Sequence, residues 1–164
     1  MPDSSIYYLG KPILGLCYGM QAMAHQLGGT VEKGKSGEYG RAEAKLDRNS
    51  VLFQGTKEVG TVWMSHGDHV IKAPKDFEVI ASSGSCAVAA ISNASKNFYG
   101  LQFHPEASPE LITKWRMADG KSAEPFQSAL KAVDQRVSHN GRRIAHAFAA
   151  QCGAVVPEIA VPVA

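Results

Sequence analysis

The sequence lacks a long hydrophobic run, an N-terminal signal pattern and an excess of charge of either sign. None of its apolar stretches approaches the roughly 20 residues needed to cross a bilayer. The 17 basic and 15 acidic residues give a formal net charge of +2, with the two signs interspersed. This balance argues against nucleic acid or a membrane as the main partner.

Cysteine is also scarce, and its distribution excludes a disulfide scaffold. The chain has three cysteines, Cys17, Cys86 and Cys152, which form an odd and widely spaced set. We therefore expect a reducing, cytoplasmic setting. The 164 residues, 45% of them hydrophobic, suffice for one domain with its own core.

The first half of the chain predicts a strand, a helix and then a region rich in sheet. Residues 12–17 are apolar and predict a short buried strand. A helix is predicted next, from the helical spacing of Met20, Met23, Ala24 and Leu27. It should end at Gly28–Gly29. Residues 32–41, EKGKSGEYGR, predict an exposed loop. Further short strands are expected at 42–46, 51–53, 59–64, 77–82, 86–92 and 98–103.

From Ser108 onward the pattern becomes helical. Ser108 can cap a helix and Pro109 suits its first position. After Gly120, apolar residues recur with helical spacing, and Gly141 beside them indicates a kink or a close contact. That stripe consists of Phe126, Leu130, Val133, Val137, Ile144 and Phe148.

Cys17 lies where the predicted strand gives way to the predicted helix. A residue on such a sharp turn needs small neighbours, which Gly15 and Gly19 provide. The sulfur would be exposed at the N-terminus of the helix, whose partial positive charge favours the thiolate. The alternative is a buried structural cysteine in a glycine-containing turn.

The segment YGLQFHPEAS, residues 99–108, supplies a base for such a nucleophile. His104 and Glu106 are two apart on an extended segment, so the carboxylate could orient the imidazole. Cys17, His104 and Glu106 would then serve as nucleophile, base and orienting group. The alternative for His104 is a histidine that only satisfies a hydrogen bond in the core.

GLCYGMQ together with FHPE resembles the class I (triad) glutamine amidotransferases. That resemblance implies an α/β, flavodoxin-like fold and release of ammonia from glutamine. Within the family, VWMSHGDHV at 62–70 and GEYGRAE at 37–43 are similar to the amidotransferase domains of GMP synthases. These imply Cys17, His104 and Glu106 as catalytic residues. They also imply that residues 65–69, SHGDH, form a loop over the glutamine pocket or at the face that docks the synthetase. The implied glutamine contacts are Gly15, Tyr18, Gly19, Gln21, Ser65 and His66.

The implied reaction is hydrolysis of glutamine through a thioester on Cys17, with the backbone N–H of Tyr18 holding the oxyanion. Ammonia would pass to GMP synthesis, by amination of XMP, or to a related amination. ATP and Mg²⁺ would belong to a separate synthetase unit, so no cofactor or metal is expected in this chain.

Departures from the family pattern leave alternatives open. Little sequence precedes Cys17 and no glycine pair lies there, so we expect an N-terminally truncated domain at residues 1–107. Added C-terminal helices at 108–151 and a tail at 152–164 would follow. The alternatives are a catalytically impaired or regulatory remnant, or a stand-alone paralogue with an unknown acceptor.

Two further patterns are rejected as sites. Residues 29–36, GTVEKGKS, match the phosphate-loop pattern, but a helix leads in and no helix is expected to follow. His66, Asp68 and His69 are potential zinc ligands without a distant fourth. His25, His139 and His146 are expected on helix surfaces, and Cys86 in the core.

Overall fold

A computed structural model describes residues 1–118 and 135–155 of the chain. Within them, six strands form one mixed sheet in the order β1-β6-β5-β4-β2-β3. β1 and β6 are parallel, and the other neighbouring strands are antiparallel. The strands are β1 (Ile13–Leu16), β2 (Thr30–Leu46), β3 (Val59–Lys72), β4 (Glu78–Ser83), β5 (Ala90–Asn93) and β6 (Phe98–Leu101).

Three α-helices accompany this sheet in the described residues: α1 (Tyr18–Gln26), α2 (Pro109–Ala118) and α3 (Gln135–Gln151). Short 3₁₀ turns lie at Ser4–Tyr8, Val51–Phe53 and Ala94–Lys96. The predicted cap of α2 is confirmed, because the Ser108 hydroxyl accepts a hydrogen bond from the N–H of Leu111 at 3.2 Å.

Two glycines allow α1 to lie close on the β1–β6 pair. Gly15 and Gly100 face each other in the register of these parallel strands. A Cβ on Gly15 would lie 2.6 Å from the carbonyl carbon of Gly19, and one on Gly100 would lie 2.7 Å from Cγ of Met20. The missing side chains therefore set how closely the helix follows the strand.

The exposed loop predicted at residues 32–41 is wrong, because this segment belongs to the long strand β2. Residues from Glu38 to Lys45 pair with β3, and the register shifts between Lys33 and Glu38. Most side chains of β2 are exposed, so the segment carries little of the hydrophobic alternation that marks a strand. The pattern GTVEKGKS lies mainly in this strand and does not lead into a helix.

Other predicted boundaries also change. Residues 51–53 form a 3₁₀ turn, so the strand predicted there is wrong. The predicted strand 86–92 is replaced by β5, which begins at Ala90. The 65–69 segment, expected as a loop over the glutamine pocket or at the synthetase-docking face, lies within β3.

The main core lies between the sheet and α3. It joins strand residues such as Met64, Tyr99 and Leu101 to Ile144, which is 1% exposed, while Phe148 packs against its margin. Ile144 and Phe148 of the predicted stripe thus face the core. Phe126, Leu130 and Val133 lie outside the described residues, as do the side chain of Val137 and the tail beyond residue 155.

Candidate active site

Cys17 occupies a strained turn between β1 and α1, which confirms the predicted sharp bend. Its φ is 49° and its ψ is −105°, a conformation that costs a non-glycine residue on the order of 1–3 kcal/mol. Two backbone hydrogen bonds hold it: its N–H donates to the carbonyl of Leu101 at 2.7 Å, and its carbonyl accepts from Gln21 at 3.1 Å. The turn is therefore fixed by β6 and by the first turn of α1.

The predicted need for small neighbours holds on one side of Cys17 only. Gly15 is required, because a Cβ there would overlap the backbone of Gly19. A Cβ on Gly19 would meet nothing within 4 Å, so the steric reason given for Gly19 is wrong. Gly19 instead faces open space beside the thiol turn.

His104 and Glu106 meet at the carboxyl end of β6, beside Cys17. The Nδ1 of His104 lies 2.7 Å from Oε1 of Glu106, and the Cys17 thiol is close enough to the imidazole to affect its pKa. Burial lowers the pKa of His104, but the hydrogen bonds and charges of Cys17 and Glu106 outweigh it and raise this pKa to about 9. The imidazole is therefore cationic at neutral pH.

The parallel pairing of β1 and β6 explains why residues so distant in sequence meet. The carboxyl ends of parallel strands lie at the same edge of a sheet, where ligands bind in α/β folds. The turn after β6 is anchored by a bond from the His104 N–H to the carbonyl of Trp63 at 2.8 Å. The Trp115 ring, from α2, contacts the imidazole edge-on with centroids 5.1 Å apart.

Gln102 is a residue of this site that the sequence reasoning missed. It is fully buried, and its Nε2 donates to the Cys17 sulfur at 3.5 Å. Its Oε1 accepts from Nε2 of Gln21 at 3.2 Å, and that nitrogen also donates to the carbonyl of Asp68 at 2.7 Å. The available signal was its position two residues before His104, on the same side of the extended segment.

Ser65 and His66 approach the site from β3. The Cys17 thiol donates weakly to the backbone carbonyl of Ser65 at 3.7 Å. His66 is buried, and its Nδ1 donates to the carbonyl of Asp68 at 3.1 Å. Its Nε2 lies 3.4 Å from Oε2 of Glu38 without the alignment of a hydrogen bond. Burial lowers the pKa of His66, against the opposing effects of Asp68 and Glu38.

Comparison with known proteins identifies the family. The class-I glutamine amidotransferase family model matches residues 2–117. The chain belongs to this family. The amidotransferase family assigned from GLCYGMQ and FHPE is thus confirmed, and α3 lies beyond the matched segment.

Curated relatives of this amidotransferase-family chain include GMP synthases [glutamine-hydrolyzing]. The protein from Lactobacillus gasseri is 55% identical over 105 residues, covering 63% of this chain and 20% of the relative. The protein from Aquifex aeolicus is 45% identical over 119 residues, covering 73% of this chain and 23% of the relative. The chain therefore spans about a fifth of the length of these relatives.

Solved structures confirm the α/β amidotransferase fold. A glutamine amidotransferase from Thermotoga maritima has a TM-score of 0.79 at 21% identity, covering 92% of this chain and 66% of that one. A glutamine amidotransferase from Methylobacillus flagellatus has a TM-score of 0.74 at 19% identity, covering 95% of this chain and 68% of that one.

The other cysteines and histidines singled out in this amidotransferase-family chain differ in their exposure. Cys86 is fully buried and burial raises its pKa to about 11, which confirms it as a core residue. Cys152 and His25 are exposed, His146 is half-buried, and the His139 side chain is outside the described part. Across residues 1–118 and 135–155, no three His, Cys, Asp or Glu side chains are grouped to hold a metal.

None of the α-helices in the described residues combines the length and hydropathy needed to span a bilayer.

Proposed function

We propose that this chain hydrolyses glutamine to glutamate and ammonia through a thioester on Cys17, with His104 as acid and base and Glu106 as its orienting group. The observation that supports this most is an imidazole that is paired with a carboxylate at 2.7 Å and whose pKa is raised by a thiol on a strained strand-to-helix turn. This is the nucleophile, base and orienter arrangement of covalent catalysis.

The first half-reaction follows from these contacts. With its pKa raised to about 9, His104 is protonated at neutral pH and can accompany a Cys17 thiolate. The thiolate attacks the side-chain amide carbon of glutamine, and the N–H of Tyr18, in the first turn of α1, stabilises the oxyanion. His104 gives its proton to the departing nitrogen, so that ammonia leaves and the glutamyl thioester remains.

The second half-reaction uses the same groups in reverse. Neutral His104 takes a proton from water, and the hydroxide that forms attacks the thioester carbon. The carbon–sulfur bond breaks, glutamate leaves, and Cys17 returns as a thiolate beside the imidazolium. Glu106 keeps the ring oriented through both steps by accepting the Nδ1 hydrogen bond.

Glutamine is proposed to bind over the open side of the thiol turn, with contacts from Gly15, Tyr18, Gly19, Ser65 and His66. The open space beside Gly19 supports this placement. Gln21 has a different part in the proposal, because its amide nitrogen already donates to both Asp68 and Gln102. It would hold Gln102 against the sulfur.

The acceptor of the ammonia is proposed from the relatives. Because the curated relatives are GMP synthases, we propose that the nitrogen passes to a synthetase unit that aminates XMP in the cytoplasm. ATP and Mg²⁺ would act in that unit, since the thiol chemistry of this chain needs neither.

Glutamate release by the full chain tests the proposal, with and without the synthetase part of a GMP synthase. Cys17→Ala should lower the rate at least about 10³-fold, while Cys152→Ala, at an exposed cysteine, serves as the matched control and should not change it. Equal rates for wild type and Cys17→Ala would refute the hydrolysis proposal. So would an inactive wild type in both settings.

The acceptor is tested separately by supplying XMP and ATP with either glutamine or an ammonium salt. We expect GMP from glutamine only when Cys17 is intact, and from ammonium in every case. Glutamate release without glutamine-driven GMP, while ammonium still gives GMP, would refute the acceptor and leave the hydrolysis proposal standing.

A further inference from the structure

The turn that carries His104 and Glu106 is in direct backbone contact with α3. Gly141, which is buried in this helix, lies against Pro105, the residue between His104 and Glu106. A Cβ on Gly141 would overlap the carbonyl oxygen of Pro105 and lie 2.9 Å from its carbonyl carbon. Any side chain at position 141 would therefore have to displace the turn or the helix.

Neighbouring residues of α3 keep this contact in place. Asn140 donates to the carbonyl of Thr61 in β3 at 3.4 Å. Ile144, one turn further along, is 1% exposed within the main core. The helix is thus tied to the sheet on both sides of Gly141, so it cannot easily retreat from Pro105.

The opposite side of the same turn is also restrained. The His104 N–H donates to the carbonyl of Trp63 at 2.8 Å, and Trp115 of α2 packs edge-on against the imidazole. Pro105 adds its own restriction, because its ring fixes φ. The turn is therefore contacted by α2 at the imidazole of His104 and by α3 at the backbone of Pro105.

We propose that Gly141 is a positioning residue, and that its close contact with Pro105 holds His104 and Glu106 at the distance from Cys17 that the reaction needs. The segment that contains Gly141 lies outside the family-model match, so α3 would be a part of the active-site scaffold that the family motifs do not mark. The inference rests on the proposed roles of Cys17 and His104.

The substitution Gly141→Ala separates this role from ordinary helix stability, because two effects oppose each other. Alanine favours a helix interior over glycine, so a glycine without a positioning role would give a more stable and fully reactive protein. The overlap with Pro105 acts in the other direction and displaces the imidazole. A misplacement of about 1 Å can cost on the order of 10²-fold in rate.

The experiment measures alkylation of Cys17 by iodoacetamide between pH 6 and 10, followed by mass spectrometry on the full chain, together with kcat and KM for glutamine. Two controls bracket the variant: Ala145→Gly, at an exposed position of the same helix, and Gly84→Ala, at an exposed glycine with free space around it. Neither control should change the pH profile of alkylation.

For Gly141→Ala we expect Cys17 alkylation at pH 7 to slow by about tenfold or more and its pH profile to differ from that of wild type. The kcat for glutamine should fall by a similar factor, with KM within about twofold of wild type. A wild-type pH profile and kcat in folded Gly141→Ala would overturn the proposal. If circular dichroism shows that this variant does not fold, Asn140→Ala is the milder displacement, and an unchanged profile there is equally contradictory.

The two readouts keep this inference distinct from the proposed function. A wild-type chain that does not hydrolyse glutamine, but whose Cys17 profile still depends on Gly141, would refute the function and support the positioning role. A chain that hydrolyses glutamine with an unchanged profile in Gly141→Ala would refute the positioning role alone.

Discussion

At the scale of single residues, the site combines groups that local sequence marks with groups that it does not. Cys17, His104 and Glu106 could be predicted because each lies in a short sequence pattern that suits a catalytic role. Gln102 was marked only by its spacing from His104, and Trp115 by no pattern, because only the fold brings them to the sulfur and the imidazole.

The raised pKa of His104 predicts a pH-dependent contribution to stability. This pKa rises from 6.5 to about 9 in the folded chain, so the stabilisation is complete below about pH 6.5 and is lost as the pH rises through about 9. The free energies of unfolding of wild type and His104→Gln, measured with urea, should therefore differ more at pH 6.5 than at pH 9.5.

Cys17→Ser provides the control for that prediction. The serine hydroxyl carries no charge over the pH range of that experiment. The substitution therefore removes one of the effects that raise the pKa of His104. The pH-dependent part of the difference should therefore shrink in this background. The same difference between wild type and His104→Gln at both pH values would contradict the prediction.

At the scale of secondary-structure elements, the β1–α1 turn was predictable and the first part of β2, up to Arg41, was not. The turn follows from a short apolar strand, two glycines and a helical pattern in one stretch. Strand β2 is held by backbone pairing with β3 over most of its length while its side chains remain largely exposed. Hydrophobic alternation cannot reveal a strand whose stability comes from its neighbour.

The β1–α1 turn offers a matched pair of glycine substitutions. Gly15→Ala should destabilise the protein by about 1–3 kcal/mol, because its Cβ would overlap the backbone of Gly19. Gly19→Ala should leave stability unchanged or raise it by up to about 1 kcal/mol, because its Cβ meets nothing and alanine favours a helix. Urea midpoints of the two variants test this order, and the reverse order would refute the close approach of α1 to β1.

At the scale of the whole molecule, the core joins the family-matched segment to a helix outside it. Ile144 of α3 belongs to the same buried cluster as Met64 and Leu101 of the sheet. The helical spacing predicts this apolar stripe and indicates a kink or a close contact at Gly141. Which element that glycine touches depends on tertiary packing, so the sequence could not identify Pro105.

Ile144→Ala tests how much this helix contributes to the fold. Removing a side chain that is 1% exposed should cost about 2–5 kcal/mol of unfolding free energy. Arg142→Ala, at an exposed position two residues away, should stay within about 0.5 kcal/mol. Equal urea midpoints for both variants would show that α3 does not pack on the sheet as described.

The most direct test of the central claim is the rate at which each cysteine is alkylated by iodoacetamide at pH 7, measured by mass spectrometry with and without glutamine. Exposure alone favours Cys152, which is exposed, over the half-buried Cys17 and the buried Cys86. The account predicts that Cys17 nevertheless reacts fastest, because it is the proposed nucleophile beside the cationic His104, and that glutamine protects Cys17 without protecting Cys152. Faster reaction at Cys152, or a Cys17 rate that glutamine does not change, would contradict it.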